Sequence, residues 1–173
     1  MWRLQTCPTP VLVADGRCVW LHPDLLVDVE EVRSWAHRIT TGAANSSDLD
    51  VHPRVVQALD LLPGWYDDWI TVERERLRGT LLNAMDALAM LLVRADRCAD
   101  AVEAALSAVS AEPLRESAQR VLIEAHLAEG NRCEAWRSFS SYRDLLVREL
   151  GVRPSLELRR LLAQSELTSV SVG

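Results

Sequence analysis

The feature that most constrains this chain is a helical pattern that occurs twice. Residues 82–115 and 116–149 each read as a helix, a short break and a second helix. Sliding the sequence over itself by 34 positions brings Ala84 onto Ala118, Leu88 onto Leu122, Asp100 onto Glu134 and Ala101 onto Ala135. The small residues have a physical purpose: paired helices approach closely only where small side chains meet, and a larger one there overpacks the contact. Leu88, Ala101, Leu122 and Ala135 are therefore predicted to be buried. In the first unit Leu88 and Ala89 form a large–small pair, Ala101 and Ala108 take the small positions of the second helix, and Pro113 ends the unit. The second unit has Leu122, Ala135, Phe139 and Tyr142 at matching places, with Ile123 departing from the small residue expected beside Leu122.

Thirty-four residues as a helix pair is the tetratricopeptide period. The predicted fold is all-α, a tetratricopeptide-like antiparallel helix-pair array preceded by a short N-terminal β-hairpin. Any stack of antiparallel helical hairpins is the alternative. Two units alone are marginal, so flanking helices must cap them. Residues 28–62 supply one pair, with Asp28 as N-cap and Glu31 as its capping-box partner, then a helix from about Pro53 to Leu62 that stops at Pro63-Gly64. The stretch TTGAANSSD between them reads as a polar loop. Further helices are predicted at about 68–95, 97–111, 114–129, 131–150 and 155–166, with Gly151 as a left-handed stop and Pro154 in the first turn of the last helix. The domain boundaries expected are 1–27, 28–167 and a flexible tail at 168–173.

Residues 1–27 read differently. VLVA and RCVWL flank Asp15-Gly16, a pair suited to a two-residue type I′ hairpin turn, which would set Val11 opposite Trp20, Leu12 opposite Val19 and Val13 opposite Cys18.

Composition excludes several functions. The formal charge is −6 and every basic residue is Arg, which argues against a dedicated binder of nucleic acid or anionic membrane. No apolar run is long enough for a membrane-spanning helix, and MWRLQTCPTP is not a signal peptide, so a cytoplasmic location is expected. The four Cys and four His are scattered, with no CxxC pair, so no metal site is expected. No P-loop, dinucleotide fingerprint or nucleophile elbow occurs, and neither an enzyme nor a cofactor is indicated. Glu30-Glu31 and Asp67-Asp68 read as solvated cap charges, His126 as a packed or rim histidine, and Arg74, Arg76 and Arg78 as a solvated face neutralised by Glu73 and Glu75.

Two candidate surfaces remain. Trp65, Tyr66 and Trp69 form the densest aromatic patch; it suits a contact hot spot, but an internal corner between helix pairs is the better physical reading. The repeat nominates a concave groove on the first helix of each unit: Asn83, Asp86, Met90 and Arg94, then Ser117, Arg120 and Glu124. That set suits a peptide or protein surface, and equally a plain solvent face.

LVDVEEVRSW, LLPGWYDDWITVERERLR, AEPLRESAQRVLIEAHLAEGNRCEA and YRDLLVRELGVRPSLELRRLL together resemble the bacterial transcriptional activator domain, the helical regulatory module of the Streptomyces antibiotic regulatory protein family. The resemblance runs from Asp28 to about Leu162. In that family the module follows a winged helix-turn-helix DNA-binding domain. Here Trp2-Arg3-Leu4 resembles the end of its recognition helix and the Asp15-Gly16 hairpin its wing, so most of that domain is missing from this sequence. The resemblance implies a non-enzymatic transcription-regulatory module. It would act through protein contacts and self-association, with a related regulator or the transcription machinery as partners and without sequence-specific DNA binding of its own. A free-standing tetratricopeptide-like adaptor that binds a partner segment is the alternative.

Overall fold

The computed structural model describes residues 11–50 and 53–170, with the backbone alone described for 53–54 and 165–170. The resemblance of Trp2-Arg3-Leu4 to a recognition helix falls outside the described residues. The chain divides into two compact units, Met1–Glu31 and Val32–Gly173.

The first unit holds an antiparallel hairpin of β1 (Leu12–Ala14) and β2 (Val19–Leu21). Its register is not the one predicted. Leu12 faces Leu21, Val13 faces Trp20 and Ala14 faces Val19, so four residues, not two, make the loop. The cause is the Asp15 carboxylate, which accepts the N–H groups of Arg17 and Cys18 at 3.0 and 2.9 Å. Those bonds also hold its pKa below the usual carboxylate value. A type I′ turn needs positive φ at both central residues; Gly16 has φ +89°, whereas Asp15 is not in that region. The slip is two residues, so every strand side chain keeps its predicted face.

The helices are α1 (Asp28–Thr41), α2 (Pro53–Gln57), α3 (Asp68–Arg94), α4 (Cys98–Ala111), α5 (Glu116–Ala128), α6 (Arg132–Leu150) and α7 (Leu156–Val170). They pack as sequential antiparallel pairs. Besides packing on its sequence neighbour, α3 lies against α5 and α5 against α7, so the first helices of the repeats share one side.

Several ends differ from expectation. At the start of α1 the Val27 carbonyl takes the N–H groups of Glu30 and Glu31, so Val27 rather than Asp28 holds the cap. The polar stretch after α1 contains a 3-10 helix, Ser46–Leu49, whose capping box joins Asn45 and Asp48 reciprocally. Helix α2 stops at Gln57 and relaxes into i→i+3 turns, Val56 to Leu59 and Gln57 to Asp60, before Leu62 takes a left-handed φ of 51°. At α7 the Ser155 hydroxyl, not Pro154, meets the first turn, accepting the Leu158 N–H at 3.1 Å. That helix continues to Val170, so the tail predicted from 168 begins within it.

The repeat is realised. Leu88, Ala101 and Ala135 are fully buried and Leu122 nearly so; Ala84, Ala89, Ala108 and Ala118 are buried with them. The odd Ile123 is also buried. It joins Ala135, Phe139, Tyr142, Leu146, Leu158 and Leu162 in the cluster that seals the second unit against α7, so its extra volume has a place to go. The other end is closed by a polar lock. Arg38 donates to both oxygens of the buried Asp48, at 3.0 and 2.6 Å, and Trp35 Nε1 donates to the Asp48 carbonyl at 3.0 Å.

Replacing Ala101 by Leu should lower stability by about 1–3 kcal/mol through overpacking, read as a drop in Tm. The Arg38 guanidinium, aided by the Asn45 N–H, holds the Asp48 carboxyl below its ordinary pKa against the opposing effect of burial. The stability this supplies is complete above the unfolded carboxylate value of about 3.9 and is lost as pH falls through the lower folded value. Asp48→Asn should therefore lower stability at neutral pH and flatten the acid limb of a pH–stability curve measured by urea unfolding.

Candidate functional site

The nominated groove residues lie on two helices that pack together, Asn83, Asp86, Met90 and Arg94 on α3 and Ser117, Arg120 and Glu124 on α5. Part of this set is engaged in bonds within the fold. Asp86 Oδ2 accepts Ser117 Oγ at 2.7 Å and Arg115 Nη2 and Nε at 3.1 and 3.2 Å, and the same guanidinium donates to Asn83 Oδ1 at 2.6 Å. The Asp86 side chain keeps 14% of its exposure. Its Oδ1 is buried with no hydrogen-bond partner among the described residues. Arg115, a residue that positional transfer from the repeat missed, thus holds Asn83 and Asp86 at the end of the first unit, and the Ser117 bond to Asp86 carries the link into the second. The place of Arg115 just before α5 was the available signal, because a long cation there can reach back to the preceding first helix.

The other four nominated residues are less committed. Arg94 and Arg120 are exposed, and Met90 and Glu124 are partly so. Burial raises the Glu124 carboxyl pKa, and the Arg120 charge opposes the rise. These four are the part of the predicted groove that faces outward.

Trp65, Tyr66 and Trp69 do not form an internal corner. All three are exposed, as are their neighbours Leu62 and Val72, while Ile70 alone carries that segment into the core. The reason is the loop backbone. Arg74 donates to the carbonyl oxygens of Leu61, Leu62 and Trp65 at 2.8, 2.9 and 3.1 Å, which fixes the loop 61–65 and leaves the rings outside. The arginine run is therefore not one solvated face. Arg74 clamps this loop, Arg78 donates to the Ala111 carbonyl and pairs with Glu112, and Arg76 alone stays largely in solvent, beside Glu73.

His126 is packed within α5, its Nδ1 buried and 3.8 Å from the Glu129 carboxylate. A shallow apolar groove that the sequence did not nominate lies between Val56 and Leu59 on one wall and Val102 and Leu106 of α4 on the other. No group of three metal-ligating side chains gathers among the described residues. No helix there is long and apolar enough to cross a membrane.

Residues 48–164 match the bacterial transcriptional activator domain family. The chain belongs to that family. Among curated proteins, none matches it. The bacterial transcriptional activator domain is a regulatory, non-catalytic module. The match starts at Asp48, the residue that locks α1 to the 3-10 helix, and includes both repeats, the aromatic loop and the whole of the nominated groove.

Arg115→Ala should cost about 1–3 kcal/mol by leaving a buried carboxylate short of donors, whereas Arg120→Ala should change stability by no more than about 0.5 kcal/mol. Urea unfolding of both variants separates the bonded part of the groove from the outward part.

Proposed function

We propose that this chain is a transcription-regulatory module that acts through protein contacts and self-association, without recognising a DNA sequence by itself. Membership of the activator-domain family, over both repeats, carries the reading. The charge supports the second half of it. Residues 1–27 hold two arginines against two aspartates, and the whole chain carries −6, whereas specific DNA binding requires phosphate neutralisation as well as placed base contacts. On this reading the hairpin of β1 and β2 corresponds to the wing of a winged helix-turn-helix domain, as in the Streptomyces antibiotic regulatory proteins. The partners are a second copy, a related regulator or the transcription machinery, met in the cytoplasm.

The exposed aromatic loop is the first candidate for such contacts, because Trp and Tyr dominate interface hot spots. The outward groove residues Met90, Arg94, Arg120 and Glu124 favour a second reading, a free-standing tetratricopeptide-like adaptor that receives a partner segment.

Two measurements test the proposal. Fluorescence anisotropy against promoter duplexes at about 50 mM salt, where electrostatic binding is strong, should show no sub-micromolar, sequence-selective binding. Tethering the chain to an unrelated DNA-binding domain upstream of a reporter promoter should raise transcription several-fold. A folded, tethered chain that leaves reporter output unchanged refutes the regulatory reading and leaves the adaptor.

A further inference from the structure

We propose that the aromatic, acidic loop entering α3 and the apolar, basic turn entering α7 are the two halves of one head-to-tail contact between copies of this chain. The inference specifies the self-association included in the functional reading, and its test involves no transcription, so either can fail alone.

The first half is the segment 60–72. Trp65, Tyr66 and Trp69 are 56%, 86% and 61% exposed, and Leu62 and Val72 extend the apolar surface. Single exposed hydrophobics are ordinary, but a contiguous group of this kind marks a contact. The segment contains no basic residue; of its three acids Asp60 lies 3.8 Å from Arg74, which leaves Asp67 and Asp68 for the contact. Asp67 stands at the N-cap of α3, yet its side chain makes no capping hydrogen bond. Asp68 is exposed and enters no ion pair among the described residues. The Arg74 clamp on three carbonyls holds the loop in one shape, which reduces the ordering cost of binding.

The second half is the segment 150–160. Leu150, Val152 and Leu156 are exposed at the turn between α6 and α7. Arg153, Arg159 and Arg160 are exposed among them, against the single acid Glu157. This turn is also held in shape: Gly151 reverses the chain at φ +68°, and the Ser155 N–H donates to the Glu116 carboxylate at 3.0 Å.

The two surfaces are complementary in charge and in kind. Guanidinium groups stack on Trp and Tyr faces and pair with carboxylates at their rim. Either surface meeting itself would oppose like charges, which disfavours a two-fold symmetric contact. Because the surfaces differ and sit at the starts of two different helices, α3 and α7, the contact is heterologous. It either closes into a ring or extends.

Sedimentation of the full chain tests this. The wild type should gain weight-average mass between about 1 and 100 µM at low salt and lose that gain in about 0.5 M salt. Asp67→Arg with Asp68→Arg, and separately Arg153→Glu with Arg160→Glu, should each weaken association by at least about tenfold. Mixed in equal amounts, the two variants should associate again, because one intact loop meets one intact turn and the reversed charges of the other two halves are also opposite. Should the arginine pair disturb the start of α3, Asp67→Asn with Asp68→Asn serves in its place. A wild type that stays monomeric at about 100 µM, a dimer insensitive to both pairs, or a mixture that stays monomeric while both variants melt like the wild type would overturn the proposal.

Discussion

Close approach of helices across alanine is the constraint on which the array depends. Helix α4 turns Ala101, Ala104, Ala105 and Ala108 into the core and no larger side chain with them. A methyl group buries little apolar area, so those residues contribute modestly to the hydrophobic term. Their value is steric. They let α3 and α5 come near enough for Leu77, Leu81, Met85, Leu88 and Leu92 from α3, and Val121 and Leu122 from α5, to be almost wholly removed from water. The second unit solves the same problem differently. There α6 offers one small residue, Ala135, followed by Phe139, Tyr142 and Leu146, and the extra bulk is matched by Ile123 and by the two leucines of α7. The last helix is thus part of the second repeat's core, rather than an appendage to it.

Packing of this kind leaves helix ends with orphan carbonyls, and arginine meets several of them. The chain has no lysine, and the planar guanidinium can satisfy several oxygens at fixed angles. Arg74 takes three carbonyls of the loop before α3, and Arg78 takes the last carbonyl of α4. Arg115 gathers Asp86 and Asn83 of α3 at the end of the first unit. Tyr142 adds a link of the same type, its hydroxyl donating to the Leu114 carbonyl and to Glu116, where burial and the nearby carboxylate push its pKa up to about 12. Many of the cations are therefore structural, which leaves the net-negative surface with few uncommitted ones. That scarcity gives the exposed Arg153 and Arg160 their interest, while Arg159 beside them already donates to the Ser155 carbonyl.

The parts of the fold that rest on periodicity were legible in the sequence. Alanine spacing identified the repeat, and Gly151 and Asp96 stand where helices end, both with positive φ. The parts that rest on a single side chain reaching a backbone group were not. Asp15 lengthened the hairpin loop, the Asn45–Asp48 box made a 3-10 helix from an apparent loop, and Ser155 capped a last helix that begins after Pro154 rather than with it. The same limit explains the candidate sites. Position in the repeat picked out Asp86 and Ser117, but it gave no sign that Arg115 donates to Asp86 and Asn83, or that Ser117 donates to the same Asp86 carboxylate. Residue type suggested an internal corner for Trp65 and Trp69, because large aromatics usually supply core area. Nothing in the spacing discloses that Arg74 holds their backbone so that they point outward.

The distribution of tryptophan then separates packing from surface function. Trp35 behaves as a core residue: it is buried, and its indole N–H finds the Asp48 carbonyl. That is the usual condition for burying this side chain, since an unpaired N–H in the core is costly. Trp65, Trp69 and Trp136 are exposed, while alanines occupy the tightest parts of the interior. Trp136 still makes an edge-to-face contact with Phe139, at 5.9 Å between centroids, and so continues the core of the second unit outward. No such ring contact accounts for Trp65 or Trp69 among the described residues. Their segment reaches the core through Ile70. A domain of this size can fill most of its interior with aliphatic side chains, and among the described residues the buried aromatics are Trp35, Phe139 and Tyr142. The two tryptophans before and within the first turn of α3 are therefore surface features held in place by the fold, rather than part of what holds it together.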